Sequence, residues 1–116
     1  MRANFERFFA GQLDESEQVR HVPIRKMPFQ VGRRNDLALC IPSNCVSKVH
    51  AELFERDGGL WLKDLGSTNG TYVNGVRLSS DTRLKEGDIV QFATVVFRVG
   101  RQECPDDGTD GGTLQE

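Results

Sequence analysis

One arginine, two hydroxyls, a lysine and an asparagine, all at strand ends or in glycine-rich turns, are the residues best suited here to hold a phosphate. They lie in four short pieces: Gly32-Arg33, Ser47-Lys48-Val49-His50-Ala51, Gly66-Ser67-Thr68-Asn69-Gly70-Thr71 and Tyr72-Val73-Asn74-Gly75. A guanidinium such as that of Arg33 presents a planar fork of donors that matches phosphate oxygens. Hydroxyls, and N–H groups in glycine-rich turns, add short-range donors. Taken alone, Arg33 reads as a solvated strand-end arginine. The company of Ser47 and Asn69 turns the reading towards an anion site.

Two other chemistries use overlapping residues. Ser47, His50 and Asp64 have the types of a nucleophile, a base and an orienter. They lack a nucleophile elbow, and along a strand a three-residue separation puts Ser47 and His50 on opposite faces. No catalytic residue is therefore expected. Cys40, Cys45 and His50 recur at intervals of five, but structural zinc wants four ligands and tighter pairs, so neither metal nor cofactor is expected. Cys40, Cys45 and Cys104 are odd in number and form no C-x-x-C pair. They read as reduced thiols of a cytoplasmic protein. His50 is expected to be structural, Trp61 to lie in the core or at its edge, and Arg34 to be exposed. Asn69-Gly70-Thr71 matches a glycosylation acceptor but reads better as turn plus ligand.

Period-2 patterning dominates the elements that would carry these residues. Asn4–Ala10, Val19–Lys26, Phe29–Val31, Leu37–Ile41, Val49–Glu55, Leu60–Leu65, Ile89–Phe92 and Val95–Val99 read as strands. Within them Val49, Ala51 and Leu53 share one face against His50, Glu52 and Phe54, and Leu60, Leu62 and Leu65 point towards a core with one phase slip. Asn4–Leu13 also allows a short helix with Phe5, Phe8 and Phe9 on one side; strand is the preferred reading. Asn69-Gly70 and Asn74-Gly75 mark tight reversals, Asp14–Glu17 and Lys85–Asp88 mark turns, and Ala93-Thr94 joins the last two strands. Short strands punctuated by Gly, Asn, Asp and Pro indicate an all-β sandwich.

The 116 residues suit one domain, with 37% hydrophobic and 28% charged residues. No apolar run approaches the roughly 18 residues of a membrane span, so no membrane partner is expected. Net charge is −2, but residues 103–116 hold five acids and no Lys or Arg, leaving twelve acids against fifteen bases elsewhere. A body near +3 with scattered bases and 8% aromatics does not fit a nucleic-acid reader. Residues 1–100 read as the folded domain and 101–116 as an acidic, Gly-rich tail or linker.

Taken in order, Gly32-Arg33, Ser47–Ala51 and Gly66–Gly75, continued by Leu84–Ile89 and Val95–Phe97, resemble the signature of the forkhead-associated (FHA) domain over about residues 28–99. The resemblance implies a β-sandwich of two mainly antiparallel sheets, about eleven short strands, with phosphothreonine peptides bound by loops at one end. It implies that Arg33 holds the phosphate, with the Ser47 hydroxyl and the backbone N–H and charge of Lys48. It gives Thr68 the wall of the phosphothreonine pocket and Asn69 the peptide main chain. Gly32, His50, Gly66 and Gly70 become structural supports of the loops. The departures are Lys48 where Arg or Asn is frequent, Cys45 at an often polar spot, and Ala93 in place of a common glycine. The implied partners are a phosphothreonine-bearing protein or an intramolecular phosphosite, with a Ser/Thr kinase upstream. The alternative is a structural or oligomerising sandwich whose site is unused.

Overall fold

Strands with alternating patterning bury one face each, and two such faces must close on one another. In the computed structural model, which describes residues 4–11 and 19–104, eleven strands do so. They are β1 (Asn4–Gly11), β2 (Arg20–Ile24), β3 (Phe29–Gly32), β4 (Leu39–Cys40), β5 (Ala51–Arg56), β6 (Gly59–Asp64), β7 (Thr71–Val73), β8 (Val76–Arg77), β9 (Thr82–Leu84), β10 (Ile89–Phe92) and β11 (Val95–Cys104). One sheet has the order β2-β1-β11-β10-β7-β8 and the other β4-β3-β5-β6-β9. The β3–β4 pair is parallel, and the other pairs are antiparallel.

The inner faces meet around Phe9, Phe29, Phe92 and Phe97, whose ring centroids stand 5.5 to 6.3 Å apart at tilted or edge-on angles. Phe9 identifies residues 4–11 as a strand in the way a helix could not. Its side chain is fully buried, while that of its neighbour Phe8 leaves by the other face and stacks on His21 at 4.7 Å. Leu53, Leu60, Leu62, Val31 and Val90 complete the seam.

Turn chemistry fixes the hairpins. Asn74 and Gly75, at φ 51° and 85°, close β7 onto β8, and Asp57 and Gly58, at 53° and 74°, close β5 onto β6. Both pairs have the two positive φ values of a type I′ turn. Ala93 has φ 57°, which accounts for the glycine usual at that point of the signature.

Several expectations of phase and extent are corrected. β5 begins at Ala51, not Val49, because the chain bends at Lys48 and Val49; His50 is then fully buried and Val49 only half-buried. Leu65 lies past the end of β6 and is half-buried. The fourth strand has two residues where five were expected. β11 continues to Cys104, paired with Asn4, four residues past the boundary drawn at 100. The turn expected at Asp14–Glu17 and residues 105–116 lie outside the described residues.

Candidate functional site

Three connections leave the sandwich at the end where β3 and β6 finish: residues 33–38, 41–50 and 65–70. They are stitched together before any ligand is considered. The N–H groups of Arg33 and Arg34 donate to the carbonyls of Ser47 (3.0 Å) and Lys48 (3.2 Å), and His50 N–H donates to Val31 (2.8 Å). This close approach explains Gly32. A Cβ there would stand 2.2 Å from the Lys48 carbonyl oxygen, a backbone atom that cannot step aside.

His50 braces the second and third connections. Its Nδ1 accepts the Ser47 backbone N–H at 3.0 Å, so the neutral ring carries its proton on Nε2, which donates to the Gly70 carbonyl at 2.8 Å. The ring meets Phe92 edge-on at 5.9 Å, which roots the loops in the core. With both nitrogens engaged on backbone groups, His50 neither activates the Ser47 hydroxyl nor presents a lone pair to a metal. The strand-face argument against a Ser47–His50 couple fails, because the chain bends at Lys48 and Val49, yet the hydrogen bonds give the same answer.

Asp64 organises the third connection. Its carboxylate accepts the N–H groups of Gly66 and Ser67 at 3.0 Å and the hydroxyls of Ser67 and Thr71 at 2.6 Å. Burial would raise its pKa, but these hydrogen bonds outweigh burial and hold the group below its ordinary value. Ser67 then accepts the Gly70 N–H at 2.9 Å. Gly70 has φ 90°, a shape that side chains rarely take. Asp64 was read from the sequence only as a possible catalytic orienter. Its spacing to Ser67 and Thr71 is the signal for this loop-capping role.

The result is an open depression of about 460 Å³ lined by Arg33, Ser47, Lys48, Thr68 and Asn69, together with Asn44, Cys45, Val46 and Val49. All five proposed ligand contacts fall in it. Gly32, His50, Gly66 and Gly70 do not line it. Arg33 Nε donates to the Val46 carbonyl at 3.1 Å, which orients the guanidinium, and no carboxylate pairs with it among the described residues. Ser47 Oγ accepts the Thr68 N–H at 3.1 Å, leaving its own proton to donate outward. Asn69 Nδ2 donates to the Cys45 carbonyl at 2.7 Å, so its carbonyl oxygen remains for another donor. Lys48 is exposed at the rim. Arg34, next to Arg33, is exposed and paired with Asp36. A concavity with cationic and hydroxyl donors, and no facing acid, suits a multiply charged anion carried on a polypeptide.

A second, slightly larger cleft of about 490 Å³ opens at the other end of β6, lined by Arg7, Arg83, Lys85 and Arg101 with Glu86. None of the residues read from the sequence as functional lines it. Its Arg101–Glu86 pair places an acid among the bases. The smaller depression is the better anion site, because its guanidinium is oriented and free of a counter-charge.

A family model described as the FHA domain matches residues 29–93. The glycogen accumulation regulator GarA of Mycobacterium tuberculosis is 37% identical over 83 residues, 70% of this chain and 51% of that protein. An ABC transporter ATP-binding/permease protein of the same organism is 38% identical over 66 residues, 57% of this chain and 8% of the transporter. This chain thus spans about half of the first relative's length and a small part of the second's. A solved structure described as phosphothreonine-dependent FHA domain interactions superimposes with a TM-score of 0.69 at 26% identity, covering 82% of this chain and 95% of that one.

Proposed function

The chain belongs to the FHA domain family, and from that premise we propose that it binds phosphothreonine peptides in the depression between its three loops. One observation carries the reading: Arg33, Ser47, Lys48, Thr68 and Asn69, spread over 37 positions of sequence, line a single concavity. The phosphate meets the terminal guanidinium nitrogens of Arg33, the Ser47 hydroxyl and the charge of Lys48. Thr68 lines the pocket for the threonine side chain, and the Asn69 carbonyl takes an N–H of the peptide backbone. No step of covalent chemistry is involved.

The partner is a phosphothreonine-bearing protein, or a phosphosite on the same polypeptide, made by an upstream Ser/Thr kinase. The setting that fits reduced Cys40 and Cys45 is the cytoplasm. Calorimetric titration tests the reading with matched phosphothreonine, phosphoserine and unmodified peptides, which should bind in that descending order. Loss of the threonine methyl contact in phosphoserine is worth about 1–3 kcal/mol. Charge-assisted hydrogen bonds contribute roughly 1.5–3 kcal/mol each, so Arg33→Ala should weaken the phosphothreonine peptide about a hundredfold. Equal binding of the unmodified peptide, or a folded Arg33→Ala protein of undiminished affinity, would leave a structural sandwich with an idle site.

A further inference from the structure

We infer that Arg77 is a specificity contact, pairing with an acidic side chain that flanks the phosphothreonine on the Asn69 side of the site; this rests on the phosphopeptide reading above. Arg77 lies on β8, outside every motif that marks the pocket. The strand register brings it to the binding loop nonetheless. Arg77 pairs with Tyr72, and Tyr72 with Gln91, forming a row on the outer face of the sheet, opposite the inward-facing phase of Val73 and Val90. Tyr72 reaches back to the same loop, its hydroxyl donating to the Asn69 carbonyl at 3.4 Å.

The guanidinium lies over Gly70. A Cβ on Gly70 would stand 2.8 Å from Arg77 Nε and 3.2 Å from the Tyr72 ring, so the missing side chain is what admits the arginine. It does not bond the backbone it covers. The Gly70 N–H is taken by Ser67, and the Gly70 carbonyl by His50 and by the Ala93 N–H at 3.0 Å. Arg25, Arg34, Arg56 and Arg101 each pair with an acid, whereas Arg77 is exposed and has no acidic partner among the described residues.

The chain therefore presents a planar fork of donors over Gly70, one residue from the asparagine proposed to clamp the peptide backbone, and no group among the described residues satisfies them. A carboxylate on the ligand fits that fork in a way a neutral side chain cannot. Selectivity among flanking residues then comes from a strand outside the phosphate loops.

The test uses a set of phosphothreonine peptides carrying one glutamate at successive flanking positions, each matched by its glutamine counterpart. These are titrated against the wild type and Arg77→Gln, with Arg33→Ala run alongside. The wild type should prefer glutamate over glutamine at one position on one flank by about fivefold, the upper range for an exposed ion pair. Arg77→Gln should abolish that preference while binding the all-glutamine phosphopeptide as the wild type does. Unchanged glutamate-to-glutamine ratios in the variant, a preference at no position, or equal weakening of every peptide would overturn the inference. Retained affinity in Arg33→Ala would instead strike the phosphothreonine reading itself.

Discussion

Two glycines show how the surroundings of a single residue decide what a methyl group costs. At Gly32 the added Cβ would press within 2.2 Å of the Lys48 carbonyl oxygen and 2.8 Å of its carbon. Those atoms belong to the turn that carries Ser47, so relief requires the turn to move. At Gly59 the first obstacle is the Arg83 guanidinium at 2.4 Å, the far end of a flexible, exposed side chain. Gly32→Ala should therefore lose about 2–4 kcal/mol of stability, in the range of overpacked or strained sites, and weaken phosphopeptide binding. Gly59→Ala should cost less than about 1 kcal/mol, because Arg83 swings away. Chemical denaturation of both variants checks this, and similar losses at the two sites would contradict it. The spacing of the motifs made Gly32, Arg33, Ser47 and Asn69 legible in the sequence. It did not make Arg77 or Asp64 legible in their present roles, because each depends on a neighbour supplied by tertiary register or by the path of a loop.

At the scale of elements, the loop 65–70 is a short connection in which one carboxylate takes the N–H groups of Gly66 and Ser67 and the hydroxyls of Ser67 and Thr71. Asp64 has a folded-state pKa held below its ordinary value, since hydrogen bonds from Ser67, Thr71 and Gly66 outweigh burial. A depressed carboxylate contributes stability above its unfolded pKa and loses it as pH falls through the folded one. Acidification past the ordinary carboxylate range should loosen this loop and the pocket wall it forms. Asp64→Asn should remove most of that acid sensitivity and weaken peptide binding at neutral pH. Denaturation midpoints of both proteins across acidic pH decide it: parallel curves would show that Asp64 is not the titrating group. The long alternating strands and the Asn-Gly reversal at 74–75 were readable because pattern and turn chemistry agree there. β7, β8 and β9, of two or three residues each, were not, since so few positions carry no period. The phase was misread at Val49 and Leu65 because both sit just outside strands, where alternation no longer governs which way a side chain faces.

On the scale of the whole molecule, the loops do not hang from the sandwich as independent pieces. His50 ties Ser47 and Gly70 to the edge of Phe92, and Phe92 packs on Phe9 and Phe97 in the core. The Ala93 N–H holds the Gly70 carbonyl from the β10–β11 turn. Opening the site thus means breaking contacts that also close the two sheets. A ligand that binds only the folded loops should then stabilise the entire domain, by about 2.7 kcal/mol at a hundredfold excess over Kd. For a domain of this size that corresponds to a rise in Tm of roughly 10 °C. Matched phosphothreonine peptide should raise the melting temperature of the wild type by that amount, and Arg33→Ala, its Kd raised about a hundredfold, should shift by only about 2 °C at the same peptide concentration. Because the stabilising attraction is largely electrostatic, the shift should shrink as salt rises past physiological strength, where the screening length falls below about 8 Å. A peptide that binds calorimetrically yet leaves the melting temperature unmoved would mean that the loops unfold ahead of the sandwich. The His50–Phe92 contact would then be packing without cooperativity.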